Sequence, residues 1–303
     1  MAMNSVVLIT GASTGFGRAA SETLGRRGYT VFAAMRNIAG RNAAHCRALE
    51  SLARREGLPI QVLEMDVTQE TSVERAVGQM LDQTGRIDVA INNAGIFSLG
   101  LTEAYTVEEF HRLFDVNVYG AVRVNRAVLP AMRRQRRGLL IHVSSAAGRV
   151  VPPSVAVYCA SKHALEAVAD AYRFELSQLG IDSVLVEPGF HRTPILENIA
   201  GPADSARTAD YGPMVEAAAR VREVFENAGR DASVPGPEEV VEAFVRLIET
   251  PAGQRPFRTV PTTAIQGLLD PYNAMAMEMR QTVAQIFQAS ELLELRQAAS
   301  AGM

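Results

Sequence analysis

The sequence VVLITGASTGFG, from Val6 to Gly17, decides the fold, because a short apolar run passes directly into a glycine-rich turn. An uninterrupted apolar run is typical of a strand that is buried on both faces. The glycine pattern Gly-x-x-x-Gly-x-Gly permits a tight turn, lets backbone amides approach a pyrophosphate, and leads into a helix whose N-terminus favours negative charge. The turn residues predicted to contact a bound dinucleotide are Gly11, Ser13, Thr14, Gly15, Phe16 and Gly17.

Outward from this stretch, apolar runs alternate with helical stretches over the first two thirds of the chain. Such alternation predicts an α/β fold with a doubly wound parallel sheet of the Rossmann type, covered by helices on both faces. The predicted strands are 6–9, 30–34, 60–63, 87–91, 139–143 and 183–186. The predicted helices lie near 17–27, 71–83, 118–134, 157–179, 214–227 and 274–297.

The domain organisation is predicted to be simple. Residues 1–303 contain no internal repeat and no low-complexity linker, which indicates a single domain. Residues 190–237 are rich in Gly, Pro, Ala and Asp, and a long, weakly structured insertion of this kind is typical of a lid over a binding site. Residues 270–303 are predicted to form a helical C-terminal extension that packs against the body or against a second subunit.

The composition excludes several classes of function. A net charge of -3 gives no reason to expect a nucleic-acid partner or a membrane-surface partner, and no apolar run is long enough to span a bilayer. The two cysteines, Cys46 and Cys159, lack metal-ligand spacing, so we expect no metal site. Few cysteines and no recognisable secretory signal predict a cytoplasmic protein.

The end of the second strand carries the signal for cofactor choice. An NAD enzyme usually places Asp or Glu there to hold the ribose hydroxyls. Here the segment is Ala34-Met35-Arg36-Asn37, with an arginine and no acid. A guanidinium can bind a 2′-phosphate through charge-assisted hydrogen bonds. Arg36 therefore predicts NADP(H), with Ser13 as a candidate helper and NAD(H) as the alternative cofactor. The competing interpretation of Arg36 is an ordinary exposed arginine.

A tyrosine and the only lysine of the chain form a second signal. Lys162 is the single lysine among 30 Lys and Arg residues, and it follows Tyr158 by four positions, on one face of a helix. A free tyrosine titrates near pH ~10. A neighbouring ammonium favours the phenolate, so we expect Lys162 to lower the pKa of Tyr158 towards the working range of an acid-base group.

Further motifs follow the glycine turn in a fixed order. They are Asp66-Val67, Asn92-Asn93-Ala94-Gly95, Asn117, Ser145, Tyr158-x-x-x-Lys162, Pro188-Gly189 and Thr193. Over roughly residues 5–195 the chain resembles the short-chain dehydrogenase/reductase family. The sequence around Tyr158 is similar to the hydroxysteroid and retinol dehydrogenase branches of that family.

The resemblance implies a role for each motif. Tyr158 would be the acid in reduction and the base in oxidation, and Ser145, rather than its neighbour Ser144, would hydrogen-bond the substrate oxygen. Lys162 would hold the nicotinamide ribose, and Asn117 would support a water-linked proton path to it. Asp66 would contact adenine, Asn93 would lie beside a ribose, and Thr193 would engage the carboxamide. The remaining positions implied to contact the cofactor are Val67, Ala94, Gly95, Pro188 and Gly189.

These observations predict an NADP(H)-dependent oxidoreductase that transfers a hydride between nicotinamide and a carbonyl or secondary alcohol. We expect a lipophilic small-molecule substrate, with Phe97, Leu99, Val151 and Phe190 as an apolar wall, and a homodimer or homotetramer. One alternative is a catalytically silent NADP(H)-binding regulatory or scaffold protein, which the complete set of Asn117, Ser145, Tyr158 and Lys162 disfavours. Another is a nicotinamide-dependent epimerisation or dehydration.

Overall fold

The central sheet has seven parallel strands in the order β3-β2-β1-β4-β5-β6-β7. The computed structural model describes residues 5–197 and 199–296. The strands are β1 (Val6–Thr10), β2 (Thr30–Met35), β3 (Ile60–Glu64), β4 (Val89–Asn92), β5 (Gly138–Val143), β6 (Ile181–Val186) and β7 (Arg258–Thr259). The predicted α/β fold with a doubly wound parallel sheet is confirmed.

Helices cover both faces of this sheet. They are α1 (Gly15–Arg26), α2 (Ala43–Glu56), α3 (Glu70–Thr84), α4 (Val107–Phe114), α5 (Gly120–Gln135), α6 (Ala156–Glu175), α7 (Pro213–Arg230), α8 (Glu238–Glu249) and α9 (Thr263–Ile286). Leu24, Leu49 and Phe244, from α1, α2 and α8, share one core cluster with alternate strand residues. Met80 and Val124, from α3 and α5, belong to a second cluster. Because successive residues of a strand point to opposite faces of the sheet, each face has its own hydrophobic core.

The strand order reverses between β1 and β4, and this reversal positions the site. Val7 of β1 pairs with Val31 of β2 on one side and with Val89 of β4 on the other. The helices that follow the two strands leave in opposite directions at such a point, so a crevice opens at the carboxyl ends of the strands. The glycine turn after β1 therefore lies at the edge of this crevice.

Four elements were not predicted: α2, α4, α8 and β7. The α8 sequence carries apolar residues at 240, 241, 244, 245 and 248, a helical period that marks one buried face. The α4 helix begins with a capping box in which Thr106 and Glu109 satisfy each other's backbone N–H groups. Both signals were readable in the sequence. The two-residue β7 carries no periodicity, and its pairing with β6 alone defines it.

The predicted helix at 274–297 is wrong in its bounds, because α9 begins at Thr263 and ends at Ile286. Proline disfavours a helix interior, yet Pro271 lies inside α9. The helix stops where Gln288 adopts a left-handed conformation with φ of 53°. Residue 297 and the rest of the predicted extension, 298–303, lie outside the described residues. A single-domain organisation over 1–303 stays a prediction.

The apolar side chains of α9 divide between the body and the surface. Leu269 and Ala284 are buried, whereas Met275, Met279 and Val283 are exposed at 61%, 63% and 45%. Polar groups also hold the helix. Arg280 donates to Asp170 Oδ1 at 2.8 Å and covers the ring of Phe174. The packing of these apolar residues against a second subunit stays a prediction. In the described part of the chain, no helix has both the length and the apolar character needed to cross a bilayer.

Candidate active site

A cavity of about 1010 Å³ occupies the crevice at the carboxyl ends of the strands. The predicted site residues that line it are Gly11, Ser13, Thr14, Gly15, Phe16, Arg36, Asp66, Val67, Asn93, Ala94, Gly95, Ser145, Tyr158, Lys162, Pro188, Gly189 and Thr193. Gly17 and Asn117 are not part of its lining. Gly11 and Thr193, 182 positions apart in the sequence, thus meet in one cleft because the loops after β1 to β6 all leave the same edge of the sheet.

The glycines of the first turn allow close backbone packing. Gly11 has φ of +67°, and a Cβ on it would lie 2.8 Å from the Cα of Ala94. A Cβ on Gly17 would lie 2.6 Å from both Asn93 Nδ2 and the Gly11 carbonyl oxygen. Gly17 is therefore required for the contact between α1 and the β4 loop, although it does not face the cleft.

The N-terminus of α1 fits a pyrophosphate. The helix begins at Gly15, its N-cap residue Thr14 makes no side-chain cap, and no acidic residue lies in its first turn. Unsatisfied backbone N–H groups at a helix start bind anions, and the macrodipole adds to their effect. Thr193 lies opposite, with its Cβ 3.5 Å from where a Gly15 Cβ would be. The residues present therefore fit a dinucleotide at this end of the cleft.

Asn93 supports the glycine turn with its side chain. Its Nδ2 donates to the carbonyl oxygens of Thr10 at 2.8 Å and Gly11 at 3.2 Å. The backbone N–H groups of Asn93 and Ala94 both donate to Thr10 Oγ1 at 3.0 Å. The motif after β4 thus holds the end of β1 in place. Asp66 is similarly engaged, because its Oδ1 accepts from the N–H and the hydroxyl of Thr68.

Arg36 lies at the cleft end beyond β2 and is exposed. Among the residues that the structure describes, it forms no salt bridge. The acid nearest in the sheet, Glu64, accepts from the backbone N–H groups of Asn37 and Ile38 at 2.9 and 3.2 Å. Arg41 and His45 line the same cleft. They belong to the segment around α2 that was not predicted, so the sequence analysis missed them.

Tyr158, Ser145 and Lys162 meet on the opposite side of the cleft. Tyr158 and Lys162 lie one turn apart on α6, and Lys162 Nζ is 5.7 Å from the centre of the tyrosine ring. The ammonium donates to the carbonyl oxygen of Val143 at 2.8 Å. Ser145 follows the end of β5, and its side chain lies close enough to the phenol of Tyr158 to lower the pKa of that phenol. The Ser145 hydroxyl also donates to the Pro188 carbonyl oxygen at 3.4 Å. Phenol, serine hydroxyl and ammonium therefore face one cavity.

Burial sets the proton affinities of this group. Desolvation raises the pKa of Tyr158 to about 12, and the hydrogen bond from Ser145 opposes that change. Desolvation also lowers the pKa of Lys162 to about 8, opposed by the charge of Glu166. The predicted lowering of the Tyr158 pKa is wrong for this structure, because burial is the largest influence on that pKa and raises it. The phenol and the ammonium are both removed from water.

Asn117 lies in a π-helical turn, Asp115–Tyr119, between α4 and α5. Its Oδ1 accepts from the Ile96 N–H at 2.9 Å, and its Nδ2 donates to the Ile96 carbonyl oxygen and to Ser161 Oγ, both at 3.0 Å. Ser161 in turn donates to the carbonyl oxygen of Tyr158 at 2.7 Å. A buried Asn117 therefore connects the β4 loop to the catalytic face of α6 without lining the cleft.

Neighbouring polar groups have other tasks. The hydroxyl of Ser144 donates to Glu166 Oε1 at 2.7 Å, which leaves Ser145 as the serine that faces Tyr158. Burial raises the pKa of the Cys159 thiol to about 11 and lowers the pKa of His142 to about 3. At neutral pH both groups are uncharged. In the described residues, no group of His, Cys, Asp and Glu could hold a metal ion.

Aromatic rings form the wall beside Tyr158. The Phe97 ring packs edge-on to Tyr158 at 4.7 Å between centroids and lies 5.1 Å from Phe225 of α7, which is 4.9 Å from Phe190. Phe97 and Phe190 line the cavity as predicted. Leu99 is a core residue and Val151 is 62% exposed, and neither lines the cavity. Phe225 was missed because only tertiary packing brings α7 to the site.

Comparison with known proteins identifies the family. Residues 5–203 match the family model described as short chain dehydrogenase. The chain belongs to the short-chain dehydrogenase family. The resemblance inferred from the motifs is therefore confirmed, and the chain is an oxidoreductase by family.

Relatives and solved structures agree with this assignment. Retinol dehydrogenase 8 of Bos taurus is 33% identical over 252 residues, covering 80% of this chain and 77% of that protein. The 17-beta-hydroxysteroid dehydrogenase type 1 of Mus musculus is 32% identical over 260 residues, covering 82% of this chain and 71% of that protein. The 3-ketodihydrosphingosine reductase of Bacteroides thetaiotaomicron is 36% identical over 193 residues, covering 64% of this chain and 66% of that protein. A short-chain dehydrogenase structure from Streptomyces avermitilis aligns with a TM-score of 0.74 and 27% identity, covering 94% of this chain and 98% of that one.

Proposed function

We propose that this short-chain dehydrogenase uses NADP(H) to interconvert a carbonyl compound and a secondary alcohol. One observation carries the proposal. The phenol of Tyr158, the hydroxyl of Ser145 and the ammonium of Lys162 line the same cavity as the glycine turn after β1. A cofactor held at that turn would extend along the cleft towards these three groups. A protein that only binds the cofactor has no need of such a proton-transfer set.

The three groups have separate tasks in the proposed reaction. When bound, the nicotinamide supplies or accepts the hydride. In reduction, Tyr158 donates its proton to the carbonyl oxygen as that oxygen gains negative charge, and Ser145 donates a hydrogen bond to the same oxygen. A phenol with a pKa raised to about 12 carries its proton at neutral pH, which is the state that reduction requires. In oxidation the proton returns to Tyr158.

Lys162 and Asn117 act behind Tyr158. The ammonium of Lys162 would hold the ribose hydroxyls of the nicotinamide half. Gly95 separates it from Asn117, since a Cβ on Gly95 would lie 3.8 Å from Lys162 Nζ and 3.4 Å from Asn117 Oδ1. The missing side chain leaves a gap between amide and ammonium. This gap supports the proposed proton path from Asn117 to Lys162.

The cofactor preference rests on the end of the cleft beyond β2. Arg36 is exposed there, and the carboxylate of Glu64 is occupied by backbone N–H groups. A 2′-phosphate would therefore meet a guanidinium without a competing acid, while NAD(H) would lack a carboxylate for its ribose. We assign the further cofactor contacts to Asp66 at the adenine and Thr193 at the carboxamide, with Val67, Ala94, Pro188 and Gly189 beside them.

The substrate is proposed to be lipophilic. The chain of aromatic rings from Tyr158 through Phe97 and Phe225 to Phe190 gives the reacting end of the cleft an apolar wall. Two relatives whose names denote retinol and 17-beta-hydroxysteroid substrates support this class. We interpret residues 190–237, which include α7, as the lid over this wall. A cytoplasmic homodimer or homotetramer stays part of the proposal.

A turnover screen tests the proposal. Purified protein is mixed with NADPH and, separately, with NADH, and a panel of steroid ketones, retinaldehydes and small polar ketones is added. Loss of absorbance at the reduced-nicotinamide band should occur with apolar carbonyls and faster with NADPH. Tight NADPH binding without turnover of any carbonyl or alcohol would favour the silent binding protein.

A further inference from the structure

A network of buried charges adjoins the catalytic face of α6. It consists of Glu166, Glu187, Arg149, Arg258 and Asn273, and we call it the Glu166 network. The two carboxylates are 3% and 0% exposed. Its members come from α6, β7, α9 and the segments that follow β5 and β6. Burying two carboxylates is costly unless each is paired and hydrogen-bonded, so the network needs an explanation.

Every polar atom of the two carboxylates is engaged. Arg258 Nη1 donates to Glu166 Oε2 at 2.5 Å and also to Glu187 Oε1. Arg149 Nη1 donates to Glu166 Oε2 at 3.4 Å, and its Nε donates to Asn273 Oδ1 at 3.0 Å. Asn273 Nδ2 completes the set by donating to Glu187 Oε2 at 2.6 Å. The exposed helix α9 is thereby joined to β6 and α6 through one buried amide.

The network connects to the active site through three consecutive residues at the end of β5. The Val143 carbonyl oxygen accepts from Lys162 Nζ, the Ser144 hydroxyl donates to Glu166 Oε1, and Ser145 lies beside the phenol of Tyr158, whose pKa it lowers. Lys162 and Glu166 are one turn apart on α6, so the two contacts with β5 are adjacent. They hold the end of β5 against α6 at the two residues that directly precede Ser145.

Lys162 adds an unbalanced positive charge beside the Glu166 network. Glu166 and Glu187 carry two negative charges, which the two positive charges of Arg149 and Arg258 balance, and Lys162 lies one turn from Glu166 on α6. The other groups that face Lys162 are neutral at pH 7: Tyr158 on its own helix, the Val143 carbonyl on β5 and Gly95 after β4. Loss of the Glu166 carboxylate would leave an ammonium beside two guanidiniums in a site with little water.

We propose that Glu166 is a positioning residue for the reaction proposed above, which holds the end of β5, and with it Ser145, against α6 and places a negative charge one turn from Lys162. This inference rests on the proposed function. Asn273 serves the same end from α9, because it fixes Glu187 and Arg149 around Arg258. The charge of Glu166 raises the pKa of Lys162, against the desolvation that lowers it to about 8. Without the Glu166 charge, the pKa of Lys162 would lie closer to 7, and a larger share of the amine would be neutral at pH 7.

A titration of Lys162 tests the electrostatic half of the inference without any turnover. Lys162 is the only lysine of the chain, so lysine labelled with ¹³C at Cε gives one side-chain resonance in a tag-free protein. In Glu166→Gln the pKa read from this resonance should fall by roughly 0.5 to 1 unit. Asp170→Asn is the matched control, since it removes a different carboxylate of α6, one turn further along the helix, whose ion pair is with Arg280 of α9. Asp170→Asn should leave the pKa of Lys162 unchanged.

The pH profile of turnover tests the positioning half. The alkaline limb of kcat/KM should move to lower pH in Glu166→Gln, stay in place in Asp170→Asn, and return towards the wild-type position in Glu166→Asp. Should Glu166→Gln fail to fold, Ser144→Ala removes only one hydrogen bond and should lower kcat about three- to tenfold. An unchanged Lys162 pKa in Glu166→Gln, or an unchanged kcat in Ser144→Ala, would overturn the inference. A wild-type protein that turns over no carbonyl would overturn the proposed function instead, while the labelled titration would still report on Lys162.

Discussion

Replacing Tyr158 by Phe removes one oxygen from the active site and leaves the ring in place. The ring packs against Phe97 at 4.7 Å, and this contact needs no hydroxyl. Ser145, beside the phenol, keeps its backbone contacts in this variant, since its Oγ accepts from the Ala147 N–H at 3.1 Å and donates to the Pro188 carbonyl oxygen at 3.4 Å. The variant should therefore fold and retain its cleft. Positioned acid-base groups contribute roughly 10²- to 10⁴-fold to rates, so kcat should fall by about that factor.

The assay separates chemistry from binding. NADPH fluorescence titration should give a Kd for Tyr158→Phe within about twofold of wild type, since no contact with the glycine turn is lost. Tyr172→Phe is the control, because Tyr172 lies on the same helix and burial raises its pKa too. That variant should retain wild-type kcat. Turnover by Tyr158→Phe within a factor of two of wild type would refute the assignment of Tyr158 as the proton donor.

Three further predictions follow from the cleft and its glycines. Arg36→Asp should weaken NADPH binding roughly tenfold to a hundredfold relative to NADH binding. Arg47→Asp on α2, outside the cleft, should leave the ratio of the two dissociation constants unchanged. Fluorescence titration with both cofactors measures this ratio. Because the ammonium of Lys162 exists below its pKa of about 8, cofactor binding should weaken as the pH rises through that value, and a flat Kd from pH 7 to 9 would contradict this role. Gly17→Ala should lower the free energy of unfolding by about 1–3 kcal/mol, because the new Cβ would overlap Asn93 Nδ2. Gly78→Ala, in open space on α3, should raise the free energy of unfolding by about 0.5–1 kcal/mol. Urea unfolding of both variants measures the two changes.

Four of the strands that were predicted correctly share one physical feature. The strands β1, β4, β5 and β6 are buried along their whole length, so selection for apolar side chains leaves an uninterrupted run in the sequence. The elements that were missed depend on weaker or distant signals. The exposed α4 shows itself only in its capping box, and β7 exists because Phe257 and Thr259 accept hydrogen bonds from the backbone of β6 and the residue after it.

The residues of the candidate site likewise fall into those that local sequence predicts and those that only tertiary structure brings together. The glycine turn and the Tyr158–Lys162 pair are local patterns, in which spacing along one turn or one helix fixes the geometry. The task of Asn93 could not be predicted from its motif, because its partners Thr10 and Gly11 lie more than 80 residues away. The same holds for Phe225, which reaches the wall beside Tyr158 only after α7 has packed.

By itself, the sequence determined the alternation of strands and helices that gives the fold class, the glycine turn, the pair on α6 and the family, because each depends on patterns among neighbouring residues. Tertiary structure alone decided the pKa of Tyr158, the direction in which Ser144 and Ser145 face, and the attachment of α9 through Asn273. The physical reason is that desolvation and long-range hydrogen bonds depend on what surrounds a group in space. The pKa of Tyr158 shows this most clearly, since burial raises it although Lys162 lies one turn away.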